Sequence, residues 1–97
     1  MASSDSVEVV HNPSRNRFEA TVDGQLCRLE YRMHDGVMNI QHTEVPAALG
    51  GRGLAGMLVA AALAYARANA LKVMTTCSYA RAWMNRHPES LDLLATP

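Results

Sequence analysis

The chain is poor in the features that mark secreted, membrane and nucleic-acid-binding proteins. It has two cysteines, Cys27 and Cys77, in 97 residues, too few for the disulfide framework of a small secreted domain. Hydrophobic residues make up 48% of it, enough to build a core without such a framework, so free thiols are expected. The opening Met1-Ala2-Ser3-Ser4-Asp5 has no basic-then-apolar leader, which points to a reducing, cytoplasmic setting. Charge of one sign is lacking too: nine Lys and Arg offset nine Asp and Glu. That balance leaves no footprint for a nucleic-acid backbone or an anionic membrane. A compact anion needs no net charge, only a local arginine and backbone N–H groups. The longest apolar stretch, Leu54 to Ala66, is broken by Gly56 and falls short of the roughly 20 residues of a spanning helix. It reads as a buried helix. There is no repeat, low-complexity tract or linker, and the length argues against two independent cores. Residues 1–97 are therefore read as one domain.

Short β-patterned runs fill the first half. Val7-Glu8-Val9-Val10 reads as a strand stopped by Asn12-Pro13, and Arg17 to Val22 alternates polar with apolar as a second. Asp23-Gly24 is a hairpin signal. Cys27 to Met33 alternates again with odd positions inward, which makes Cys27 a core residue, and His34-Asp35-Gly36 turns the chain. Val37 to Val45 is the fourth strand, with Met38, Ile40, His42 and Glu44 assigned to one face, and Pro46 should end or splay it.

From Gly53 the period becomes helical, with Leu54, Leu58, Ala61, Ala62 and Tyr65 on one stripe as far as Asn69-Ala70. Leu71 to Thr76 is a short strand, so the helix is a crossover into a parallel neighbour. Ser78 to Arg86 is a second helix with Tyr79, Trp83 and Arg86 on one side, stopped by His87-Pro88. The tail from Glu89 adds a short strand or a loose end. The order β-β-β-β-α-β-α gives an α+β fold, a mostly antiparallel sheet with one parallel step, a central helix and a C-terminal helix. The six methionines are scattered and read as packing.

Gly50-Gly51-Arg52-Gly53 precedes the long helix, where free N–H groups and the positive end of the helix dipole favour an anion. A plain flexible turn explains the same glycines equally well. Gly51-Arg52-Gly53-Leu54-Ala55-Gly56 satisfies G-x-G-x-x-G as letters, but Pro46 to Leu49 separate it from its strand. Val73 to Thr76 also offer no acid for a ribose, so a dinucleotide site is excluded. No Lys-Ser or Lys-Thr follows the glycines, which excludes a phosphate-loop NTPase.

The run His42-Thr43-Glu44-Val45-Pro46 through Leu49-Gly50-Gly51-Arg52-Gly53-Leu54-Ala55, followed by an Ala-rich helix, resembles the acetyl-coenzyme A loop of GCN5-related N-acetyltransferases (GNAT). That loop has the form Arg/Gln-x-x-Gly-x-Gly/Ala. Gly53 and Ala55 match its last two fixed places, and Gly50 stands where the family usually has Arg or Gln. The chain is also similar to a short subgroup of about one hundred residues with a H-T-E-V element. Cys77-Ser78-Tyr79-Ala80-Arg81-Ala82-Trp83 and Arg86-His87-Pro88 match that subgroup's Cys, aromatic and R-H-P positions. The resemblance spans residues 7 to 90. It implies a GNAT-like twisted sheet and N-acetyl transfer, with acetyl-CoA held by Val45, Gly50, Gly51, Arg52, Gly53, Leu54 and Ala55, and no metal. The Val45 N–H would polarise the thioester carbonyl.

Acetyl transfer to an amine needs a base, because an alkyl ammonium with a pKa near 10.4 is not nucleophilic at pH 7. His42 and Glu44 are the candidates, directly or through a water. Each also has a plain reading, His42 as a hydrogen-bonded strand residue and Glu44 as a solvated carboxylate. Cys77, at a strand end and a helix start, stands where the dipole favours a thiolate. It could be acetylated first or return a proton to the leaving thiolate, a task Tyr79 could also perform, and against these stands Cys77 as a small core residue. Arg52 is preferred to Arg81 and Arg86 for phosphate. The expected partners are acetyl-CoA and an unidentified amine acceptor, with the chain a monomer or weak homodimer. The rivals are a non-catalytic acyl-CoA-binding module and an interaction domain whose sheet edge recruits a partner.

Overall fold

A computed structural model describes residues 7–95 of the chain, so the expectation for Met1 to Asp5 lies outside the described residues. The elements are β1 (Val10–Asn12), β2 (Arg17–Val22), β3 (Gln25–His34), β4 (Val37–Glu44), α1 (Leu54–Ala68), β5 (Lys72–Thr75) and α2 (Ser78–Arg86). Short 3-10 turns at Pro13–Arg15, Ala47–Leu49 and Pro88–Leu93 join them. The five strands form one sheet in chain order, antiparallel from β1 to β4 and parallel between β4 and β5. This is the α+β architecture expected.

Both hairpins after β2 follow from their turn residues. Asp23 and Gly24 have φ of 52° and 74°, and Asp35 and Gly36 have 51° and 77°. Two consecutive positive φ values make the type I′ turn that suits the twist of antiparallel strands. The first strand differs from expectation. It begins at Val10 rather than Val7, because its partner β2 pairs only with Val10, His11 and Asn12. A lone β-branched run is insufficient without a partner to accept its hydrogen bonds.

The alternation of β2 and β3 puts Phe18, Ala20, Cys27, Leu29 and Tyr31 into one core with Met38 and Ile40 of β4. Helix α1 covers this face with Leu54, Leu58, Val59, Ala62, Leu63 and Ala66, and α2 adds Ala80 and Met84. The inward side of α2 is thus turned by one residue from the predicted Tyr79, Trp83 and Arg86. Tyr79 and Arg86 are exposed, and Trp83 lies half-buried, stacked on His87 at 3.6 Å. Tyr65 packs edge-on to Phe18 and His11. The tail takes the strand option in its smallest form, a single parallel bridge between Leu94 and Val73.

The opposite face of the sheet carries charge. Across it Arg17 lies opposite Glu30, Glu19 opposite Arg28, and Arg28 opposite Glu44, and opposite charges facing across strands stabilise a sheet.

Candidate functional site

The site is built where β4 leaves β5. The two strands pair from Val37 with Lys72 to Ile40 with Thr75, and the Thr76 N–H still donates to the Ile40 carbonyl at 3.1 Å. Beyond that the strands part. The Thr75 hydroxyl caps the end of the pairing, donating to the Ile40 carbonyl at 2.7 Å and accepting from the Cys77 N–H at 2.9 Å.

A β-bulge sits at the same place. Tyr31 lies opposite Ile40 while the preceding Glu30 lies opposite His42, so Gln41 is an extra residue on β4. The extra residue reverses the alternation. This corrects the assignment of Met38, Ile40, His42 and Glu44 to one face. Met38 and Ile40 are fully buried, whereas His42 and Glu44 are exposed on the charged face. The two still project together: His42 Nε2 is 3.2 Å from Glu44 Oε1, to which Arg28 also donates at 3.0 Å.

The bulge brings Thr43 to the helix side, a position that simple alternation had denied it. Its Oγ1 lies 3.4 Å from Cys77 Sγ. Cys77 is the residue before α2, half-buried and free, as is the fully buried Cys27. Burial pushes the Cys77 thiol up. Hydrogen bonds from the Thr43 hydroxyl and from the N–H groups of Ala80, Tyr79 and Thr43 outweigh it, so its pKa falls below the usual thiol value. Burial alone acts on Cys27 and raises its pKa. One cysteine is therefore prepared to ionise and the other is not.

The glycine loop enters from the other side. Gly51 and Gly53 have φ of 83° and 76°, and a side chain at either would meet nothing within 4 Å. Backbone conformation, rather than space, demands glycine there. Gly50 has an ordinary φ of −62°, but a Cβ there would stand 3.3 Å from the Ala47 carbonyl oxygen, so a larger residue requires a small shift of that turn. Gly53 is the N-cap of α1 without a side-chain cap, which leaves the first-turn N–H groups for an anion. Leu54 is buried, Ala55 is partly covered, and Val45 follows β4 packed against the core. Arg52 instead donates to Asp23 Oδ2 of the β2–β3 turn at 3.2 Å. Arg81 and Arg86 are exposed.

Tyr79 joins the two halves. Its hydroxyl lies 3.4 Å from where a Cβ on Gly56 would stand, and Trp83 Nε1 lies 3.1 Å from that point. The absence of a side chain at Gly56 thus lets α2 close onto the first turn of α1. The N-termini of both helices, Thr43, Cys77 and Tyr79 converge at the end of the β4–β5 pairing, with His42 and Glu44 on the sheet's other face. Thr43 and Thr75 were missed in the sequence, since only the bulge and the lost pairing give them their places. Among the described residues no group of three or more His, Cys, Asp or Glu side chains is arranged to hold a metal ion, and no helix is long and apolar enough to cross a membrane.

Comparison with known proteins bears on this geometry. Residues 17–93 match the family described as GCN5-related N-acetyl-transferase. Protein NATD1 of Xenopus tropicalis is 33% identical over 92 residues, covering 91% of this chain and 84% of that protein. Protein NATD1 of Homo sapiens is 33% identical over 86 residues, covering 84% and 75%. The solution NMR structure of a GCN5-like protein from Staphylococcus aureus superimposes with a TM-score of 0.73 at 30% identity, covering 93% of this chain and 89% of that one.

Proposed function

The chain belongs to the GCN5-related N-acetyltransferase family, and from that premise we propose that it is a minimal, one-domain enzyme that moves an acetyl group from acetyl-CoA to an amine. The observation that carries the reading is the convergence of a glycine loop, two helix N-termini and Cys77 at the point where β4 and β5 cease to pair. Acetyl-CoA supplies an activated acyl group as a thioester. Its pyrophosphate fits the N–H groups of Gly51 to Ala55, with Gly50 leaving the backbone donors to act without the usual side chain. The unpaired edge of β4 as far as Val45 offers backbone donors to an acyl carbonyl.

The acceptor amine approaches from the charged face, where no helix among the described residues covers the sheet. There His42, oriented by Glu44, takes the ammonium proton directly or through a water. The thiol of Cys77 faces the helix side, where Thr43 and the α2 amides hold its charge. It acts either as the first acetyl acceptor or, with Tyr79 as the alternative, as the proton donor to the departing thiolate. The balanced charge fits a small partner rather than nucleic acid or a membrane, and we place the protein in the cytoplasm as a monomer or weak homodimer.

A second reading, a binding module without turnover, draws on Gly50 in place of Arg or Gln, on the Arg52–Asp23 pair and on the hold of Arg28 over Glu44. One experiment separates them. Purified protein and its Cys77→Ala variant are titrated calorimetrically with acetyl-CoA, and intact masses are recorded without acceptor. Gain of one acetyl group in wild type alone marks a Cys77 intermediate. Binding without mass change leaves direct transfer or the silent module, which addition of amines then resolves by release of free coenzyme thiol. No binding at all overturns the reading.

A further inference from the structure

On the charged face, a cavity of about 550 Å³ opens between the β3–β4 turn, β5 and Ala95. Its size lies within the range of small-ligand sites, about 300–1,000 Å³. Three of its lining residues have unmet chemistry. Arg17 and Arg28 on this face are each paired with a glutamate, but among the described residues Arg32 forms no ion pair. Asn39 keeps its Oδ1 out of water without a hydrogen-bond partner, a costly arrangement that usually signals a missing donor. Met74 is 46% exposed, although it is a large apolar side chain. Gln41, the bulge residue, forms the rim nearest the parting of β4 and β5.

We propose that this cavity holds the non-reacting end of the acceptor, and that the acceptor is a diamino acid of lysine type. The inference rests on the acetyl-transfer reading above. The carboxylate pairs with Arg32, for which a planar guanidinium is the best matched partner. The α-amino group donates to Asn39 Oδ1, whose terminal torsion is soft enough to turn the carboxamide toward it. The methylenes lie along Met74. From Asn39 to His42 the chain advances three residues, roughly 10 Å at about 3.3 Å per residue. A terminal amine five carbons from its carboxylate covers most of that span and reaches His42 through a bridging water, whereas an α-amine next to the carboxylate stays in the cavity.

The test uses the full chain labelled with nitrogen-15. Amide spectra are recorded on titration with L-lysine and with 1,5-diaminopentane, which lacks the carboxylate. Calorimetry with coenzyme A is run separately. L-lysine is expected to shift the amides of Asn39, Gln41 and Met74 in a saturable way. The diamine, and lysine on an Arg32→Ala variant whose other amides are unmoved, are expected to bind at least about tenfold more weakly. Equal binding of lysine and diamine overturns the proposal, as does the absence of lysine shifts in a protein that binds coenzyme A, and in both cases the acetyl-transfer reading survives. If lysine fills the cavity but coenzyme A does not bind, that reading fails and the acceptor role fails with it.

Discussion

The two cysteines show how much a residue's chemistry depends on its donors. Cys27 and Cys77 are both covered, yet only Cys77 has a hydroxyl and helix amides aimed at its sulfur, and only its pKa falls. Alkylation by iodoacetamide at pH 7, followed by peptide mass, is expected to modify Cys77 and spare Cys27. Thr43→Val removes the hydroxyl donor and is expected to slow that alkylation about twofold to tenfold by raising the thiol pKa. His11 is a second case. It stacks on Phe18 with ring centroids 4.3 Å apart, meets Tyr65 edge-on and bonds to the Tyr31 hydroxyl. Burial lowers its pKa below 6.5. The unfolded chain therefore binds this proton first as the pH falls. The stabilising contribution is complete above pH 6.5 and is lost as the pH drops from there through the lower folded value. Denaturation midpoints at pH 7 and pH 5 are expected to differ less for His11→Phe, which cannot take up the proton, than for wild type.

At the scale of elements, α1 and α2 approach closely at Gly56. A Cβ there would stand 3.1 Å from Trp83 Nε1, and Trp83 cannot retreat freely because it is stacked on His87. Gly56→Val is expected to destabilise by about 1–3 kcal/mol through overpacking. In Gly56→Ala the gain in helix propensity, about 0.5–1 kcal/mol, offsets the milder contact, and thermal melts of the pair measure the difference. The elements themselves were largely legible. Asp23-Gly24 and Asp35-Gly36 demand positive φ and so declared the hairpins, and the switch of period at Gly53 gave the start of α1. The bulge was not legible, because Gln41 has no side-chain requirement that marks an extra residue. Its consequence, the exchange of Thr43 for His42 and Glu44 on the helix side, was therefore lost with it. The side of α2 that turns to the sheet was not legible either: Tyr79, Trp83 and Arg86 share the helical spacing, but Ala80 and Met84, one position on, are the buried pair, while Trp83 and Tyr79 lie against Gly56 of α1.

For the whole molecule, one core must supply the stability. Sheet and helix residues form a single cluster, and a domain of this size has a net stability of about 5–15 kcal/mol. Leu58 is fully buried between α1 and the sheet. Leu58→Ala is expected to cost about 2–5 kcal/mol, a large share of that total, and to lower Tm by roughly 10 °C or more. Calorimetric unfolding checks it. The parallel pairing of β4 with β5 has a further consequence, for the order of folding. Strands β1 to β4 follow one another through short turns, but Ile40 meets Thr75 across 35 positions and Thr43 meets Cys77 across 34. Such distant contacts bear the larger loop-closure entropy and form late. The hairpins can assemble while the reacting centre does not yet exist. The single tryptophan, Trp83, lies in the last α-helix of the chain and is a built-in clock for its docking. In stopped-flow refolding its fluorescence is expected to lag the far-ultraviolet dichroism of the strands, and coincident traces would mean that the centre and its scaffold arise together.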